Sequence, residues 1–234
     1  MSIIAIFAIP KSAKERSEED TTLTNETPST MESLLRPPIL LLGIVVMISV
    51  AADEAFIGNF LAVHIKYSYQ KTVEVTGTIL TVCGVFYSFA IMIFGYLTDR
   101  GLSRAVTTIL GFIVLIIGTL LIDVSLFGAV WPSFVYPGIM FGLVEVGSAM
   151  IQVCILPLLV FHDGQPDQER STEAMTGVYN AGFFFGAFIG PLVGSALAEL
   201  FYFPKTFVIF AAFMFAVFVT IGIAHLKMKN LLNS

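Results

Sequence analysis

The chain has 234 residues, 56% of them hydrophobic and 12% charged, with a formal net charge of −5 and a mean hydropathy of +0.89. Soluble domains carry roughly 25% charged residues. This composition therefore excludes a soluble globular fold and points to an integral membrane protein, and the negative balance argues against a nucleic-acid partner. The two cysteines, Cys83 and Cys154, sit in apolar runs and suggest neither a disulfide framework nor a metal site. No phosphate loop, HExxH pair or Ser/His/Asp grouping is present, so the sequence offers no enzyme chemistry, no metal site and no cofactor.

In chain order, the opening "MSIIAIFAIPK" lacks the basic start of a signal peptide and is too short to span a bilayer, which takes roughly 20 residues. Residues 1–9 are read as the remnant of a preceding helix. Residues 10–37, rich in Ser, Thr, Glu and Lys, are read as a cytosolic polar linker. The sequon Asn25-Glu26-Thr27 lies in that linker and matters only on a lumenal side.

Six apolar segments follow at about 38–63, 76–98, 105–125, 131–161, 174–200 and 205–226, each long enough to span. The fold class expected is all-α, six transmembrane helices, with 227–234 a cytosolic tail. Ser171 or Thr172 is expected to cap the start of the fifth helix. With the linker inside, the cytosolic segments carry Lys11, Lys14, Arg16, Arg36, Arg100, Arg104, Arg170, Lys227 and Lys229, against Lys66, Lys71 and Lys205 outside. That excess predicts both termini cytosolic.

The first span contains adjacent acids, Asp53 and Glu54, in "AADEAFIGNF". Each central carboxylate costs roughly 2.5–3.5 kcal/mol on an insertion scale, so the pair costs about 5–7. Some fifteen strongly apolar residues return about 5–9 in total. Insertion is feasible only if the acids find a polar setting. Neighbouring residues point about 100° apart, so both cannot face one cavity equally. The stripe Val50, Glu54, Ile57, Gly58 and Leu61 is expected to be the cavity face, which favours Glu54 over Asp53.

In the fourth span, Gly138, Gly142, Glu145, Ala149 and Gln152 share one face. Glu145 is either a structural carboxylate paired with a neighbouring helix or a group lining a path; intramembrane ionisable residues favour the second. In the fifth span, Gly182, Gly186, Gly190 and Gly194 recur every fourth residue, with Pro191 among them. This is a face for close helix packing. Tyr179 is available for cation–π contact. Asp123, Glu199 and His64 fall near the non-cytosolic helix ends, where solvation is expected.

The loop "GYLTDRGLSR", Gly95 to Arg104, resembles the Gly-x-Leu-x-Asp-Arg signature of the major facilitator superfamily. Here Gly101 stands one place early and one basic residue is missing. In this reading Gly95 allows close helix approach, Asp99 accepts hydrogen bonds from a neighbouring helix N-terminus, and Arg100 and Arg104 sit at the headgroups. The resemblance covers almost the whole chain. It implies one half of a major facilitator fold, the C-terminal half, whose partner is a missing N-terminal half or a complete carrier.

A narrower resemblance is to vesicular amine transporters. Glu54 matches the acid of their helix seven and Glu145 that of their helix ten, while "NAGFFFGAFIGP" is similar to their helix eleven. Asn180 replaces an acid of the monoamine carriers, which leaves the polyamine-like branch closer. The resemblance implies proton-coupled antiport of an organic cation in vesicles or other endomembranes, with Glu54, Glu145, Asp53, Asn180, Gln152 and Tyr179 as binding candidates. The alternatives are a truncated, non-transporting membrane protein with an assembly or regulatory role, and a facilitator carrier for another small solute.

Overall fold

The computed structural model describes residues 38–123, 133–161, 168–201 and 203–232; residues 1–37, with the linker and sequon, lie outside the described residues. The described chain forms six α-helices and no strand: α1 Pro38–Ser68, α2 Val73–Asp99, α3 Arg104–Leu121, α4 Val135–Phe161, α5 Gln168–Phe201 and α6 Phe203–Leu232. All six are long and apolar enough to cross a membrane. Spanning elements take this form because each backbone amide and carbonyl is satisfied inside its own helix, away from water.

Several helices outrun the apolar segments. The 31 residues of α1 rise about 46 Å, against a hydrocarbon core of about 30 Å, because nothing between Val63 and Ser68 breaks the helix. α5 is already helical at Gln168. Ser171 and Thr172 therefore lie inside it and do not cap its start.

Local chemistry sets the connections. After α1, Gln70 takes φ 51° and Thr72, in extended conformation, begins α2. At the far end of α2 the chain closes a Schellman turn. The Gly101 amide donates to the Thr98 carbonyl at 3.2 Å, and the Leu102 amide donates to the Leu97 carbonyl at 3.0 Å. Gly101 has φ 105°, a conformation that disfavours any residue with a Cβ. The early glycine of this loop is thus the residue that the turn requires.

α4 lies at the centre of the packing, against α1, α2 and α3, and α5 lies along α1. Small residues make both main contacts. A Cβ on Gly147 of α4 would stand 2.7 Å from the Gly111 carbonyl and 2.7 Å from the Leu115 amide of α3. On α5, a Cβ on Gly186 would meet the Ile48 carbonyl, one on Gly190 the Ala52 carbonyl, and one on Gly194 the Phe56 ring. Gly182, at the near end of this ladder, keeps ordinary contact with Ile44 and Ile48. Pro191 sits within α5 without ending it. Phe56 in turn stacks on Phe210 of α6, ring centroids 4.1 Å apart.

Gly95 behaves otherwise than expected. A Cβ there would meet nothing within 4 Å, because the buried stripe of α2 runs through Thr76, Cys83 and Ala90, and Gly95 lies off it. Asp99 is exposed, with no side-chain hydrogen bond among the described residues. The turn satisfies the helix end through backbone groups instead. Arg100 covers the Tyr96 ring at 4.6 Å.

The close approach of α5 to α1 predicts that Gly190→Ala destabilises the bundle by about 1–3 kcal/mol through overpacking. On the same helix, Gly177→Ala, whose Cβ would enter open space, stays within about 0.5 kcal/mol of the parent. Unfolding of both variants in detergent micelles measures the difference.

Candidate functional site

The same helix contacts that bring α5 onto α1 also fix the direction of each acid. Ile48, Ala52 and Phe56 of α1 face the α5 glycines, so Asp53 and Glu54 project away from that seam about 100° apart. Asp53 is fully buried and points at α3, where the Thr119 hydroxyl donates to its Oδ2 at 3.0 Å. Its other oxygen, Oδ1, has no partner among the described residues.

Glu54 turns the other way, into a cavity of about 340 Å3 bounded by α1, α2, α4 and α5. Ala51, Ala55, Gly58 and Asn59 form the α1 wall around it. This corrects the expected stripe: Val50, Ile57 and Leu61 are fully buried in the protein interior. The cavity face is rotated towards the alanines because the larger side chains fill the contacts with neighbouring helices. Glu145 of α4 stands in the same wall, together with Phe141, and Phe183 of α5 faces them.

A chain of hydrogen bonds backs the cavity. Gln152 Nε2 donates to Glu54 Oε2 at 3.1 Å. The Tyr87 hydroxyl donates to Gln152 Oε1 at 2.7 Å, and the Tyr179 hydroxyl reaches the same oxygen at 3.4 Å. Glu54, Tyr87, Gln152 and Tyr179 thus tie α1, α2, α4 and α5 together through one amide. With Oε1 accepting and Nε2 donating, the orientation of the Gln152 amide is fixed by its partners. Glu145 and Gln152 are both buried, and they lie seven residues apart on one face of α4.

Among the described residues none of Asp53, Glu54 and Glu145 makes an ion pair, and no basic residue lines the cavity. An acid pair without counter-charge in an apolar wall is stabilised by a proton or by a bound cation.

Tyr87 is the functional candidate that sequence reading missed. Its signal was present as the helical spacing Gly77, Leu80, Gly84 and Tyr87, in which Leu80 and Gly84 line the cavity. Tyr179 contributes a hydroxyl contact beyond the ring role expected for it. Asn180 is exposed and lies outside the cavity wall. Among the described residues no group of three or more acids, histidines or cysteines could hold a metal.

At the other end of the bundle His64 Nδ1 is 3.2 Å from the Ser68 hydroxyl. Asp123, half-buried, lies within electrostatic reach of His64 and Tyr69, so it is less solvated than expected. Glu199 is exposed.

Comparison with known families decides what kind of molecule this is. The sequence model described as Major Facilitator Superfamily matches residues 39–229, well over half of the chain. The chain belongs to the major facilitator superfamily. It is a multi-pass integral membrane protein of a transporter superfamily. A search of curated proteins returned no match. In this major facilitator chain the segment Gly95 to Arg104 lies at the opposite end of α2 from the connection to α1.

The Asp53–Thr119 contact gives a direct test of the buried acid. Thr119→Val removes the hydroxyl that donates to Asp53 Oδ2 and lowers stability by about 1–3 kcal/mol, the cost of an unsatisfied buried polar group. Thr220→Val, at an exposed position whose hydroxyl bonds only within its own helix, changes stability by less than about 0.5 kcal/mol. Unfolding of the two variants in the same detergent checks both values.

Proposed function

We propose that this major facilitator chain carries out proton-coupled antiport of small organic cations, with Glu54 and Glu145 as the exchanging groups. The observation that carries the reading is that both acids open on one cavity with no basic residue among the described residues of its wall. The volume, about 340 Å3, falls within the range of small-molecule sites, roughly 300–1,000 Å3. Phe141 and Phe183 in the wall offer ring faces for an ammonium group.

Exchange in this scheme is competition for the same oxygens. On the acidic side of the membrane the carboxyl groups take up protons and the cation leaves. On the neutral side a cation replaces the proton and is held between Glu54 and Glu145. Gln152 keeps the Glu54 carboxylate oriented throughout, since its amide is fixed by Tyr87 and Tyr179. Asp53, engaged with Thr119 outside the cavity, serves the α1–α3 contact instead of the exchange.

The resemblance of the Glu54 and Glu145 segments to vesicular amine transporters supports an amine or polyamine, with the chain acting as the C-terminal half of a carrier in acidic vesicles and with its termini cytosolic. A cation with two separated charges suits two separated acids.

Proteoliposomes holding the full-length carrier of which this chain forms the C-terminal half, with an inside-acidic gradient, test the reading by accumulation of labelled spermidine, serotonin or acetylcholine. Glu54→Gln and Glu145→Gln are each expected to lower gradient-driven uptake by about thirtyfold or more, since losing a desolvated charge partner costs roughly 2–5 kcal/mol. Collapse of the gradient abolishes accumulation in the parent protein. Uptake that persists in both variants, or that ignores the gradient, overturns the proposal.

A further inference from the structure

A second recess, sharing no residue with the acidic cavity, lies between α1, α3, α4 and α6 and encloses about 280 Å3. Val46, Phe112, Ile155 and Phe218 form its walls, with the Phe112 and Phe218 rings 5.5 Å apart. Gly222, on the α6 side, is exposed. Among the described residues the wall carries no acid, and its charged residue is Arg104, the exposed first residue of α3, with Thr108 one turn further in.

We propose that this groove binds an anionic phospholipid, with one acyl chain lying between α3 and α6 and the phosphate at Arg104. Three features point to that occupant. The walls belong to spanning helices, so the surrounding medium is hydrocarbon, and an apolar recess does not hold water. From Arg104 to Phe112 the groove follows α3 for about 12 Å, close to the depth of one leaflet, about 15 Å from a core of about 30 Å. The guanidinium stands at the shallow end, where a headgroup lies, and its planar fork matches phosphate oxygens two at a time. A small organic cation, the ligand class of the acidic cavity, meets the wrong charge here.

Nanodiscs of phosphatidylcholine containing the protein and a trace of phosphatidylglycerol with a photoreactive acyl chain test the assignment. Cross-linked peptides are mapped by mass spectrometry and compared with those from a phosphatidylcholine probe bearing the same chain. The expected result is labelling concentrated on the Val46, Phe112, Ile155 and Phe218 segments. It should be about fivefold stronger for the anionic probe, the worth of one interfacial arginine.

Arg104→Gln removes the headgroup preference and leaves chain labelling. Gly222→Leu, whose first added atom meets nothing within 4 Å, fills the groove and suppresses labelling by both probes. Labelling spread evenly over the outer helix faces, or equal for both headgroups in the parent protein, overturns the proposal. So does Gly222→Leu labelling at the parent level. The readout is independent of transport, so it stands or falls apart from the cation-exchange reading.

Discussion

The close approach of α5 to α1 is the contact on which the rest of the bundle depends. Helices in hydrocarbon gain nothing from hiding apolar surface from one another, since lipid is as apolar as leucine. Association has to come from van der Waals contact at short range, and that needs small residues in register. Gly186, Gly190 and Gly194 provide the register against Ile48, Ala52 and Phe56. Once that seam is set, α1 cannot rotate. Its rotation decides that Asp53 meets Thr119 and that Glu54 opens on the cavity. Adjacent acids in one sequence thus acquire different surroundings from a contact that neither of them makes.

α4 supplies the complementary constraint. Its Gly147 admits α3 to backbone distance, and its Gly138 carbonyl accepts from the Cys83 thiol of α2 at 3.4 Å. Alongside those contacts it presents Glu145 and Gln152 towards α1. The Gln152 amide therefore hangs from a helix held on both flanks. That is why its bonds to Glu54 and Tyr87 form a fixed bracket and not a mobile surface pair.

The spans and the acids were legible in the sequence because the bilayer imposes a length and makes every intramembrane charge conspicuous. Glu145 and Gln152 came out on one face of α4 by helical spacing, whereas Glu54 was assigned to a stripe of α1 that is mostly buried. The rotation of α1 was not legible, for a physical reason. In a soluble helix polarity distinguishes the buried face from the exposed one. Here Phe184 and Phe188 are exposed while Val50, Ile57 and Leu61 are buried, and all are apolar, so the pattern cannot say which side meets protein. Tyr87 was missed on the same ground: an aromatic residue among others gave no sign that its hydroxyl had a partner. Gly95 and Gly190 were equally plausible packing glycines, and only the position of the neighbouring backbone separates them.

The turn at Gly101 has a mechanical meaning. Two backbone hydrogen bonds close it, and only Leu102 and Ser103 intervene before α3 begins. It therefore sets the height of α2 relative to α3 along the membrane normal. Both helices grip α4, from different sides, yet touch each other little. Sliding either one past α4 would drag the other through this stiff tie. α2, α3 and α4 then form one sliding block, and any relative motion of helices in this bundle must be taken up where α1, α5 and α6 meet it.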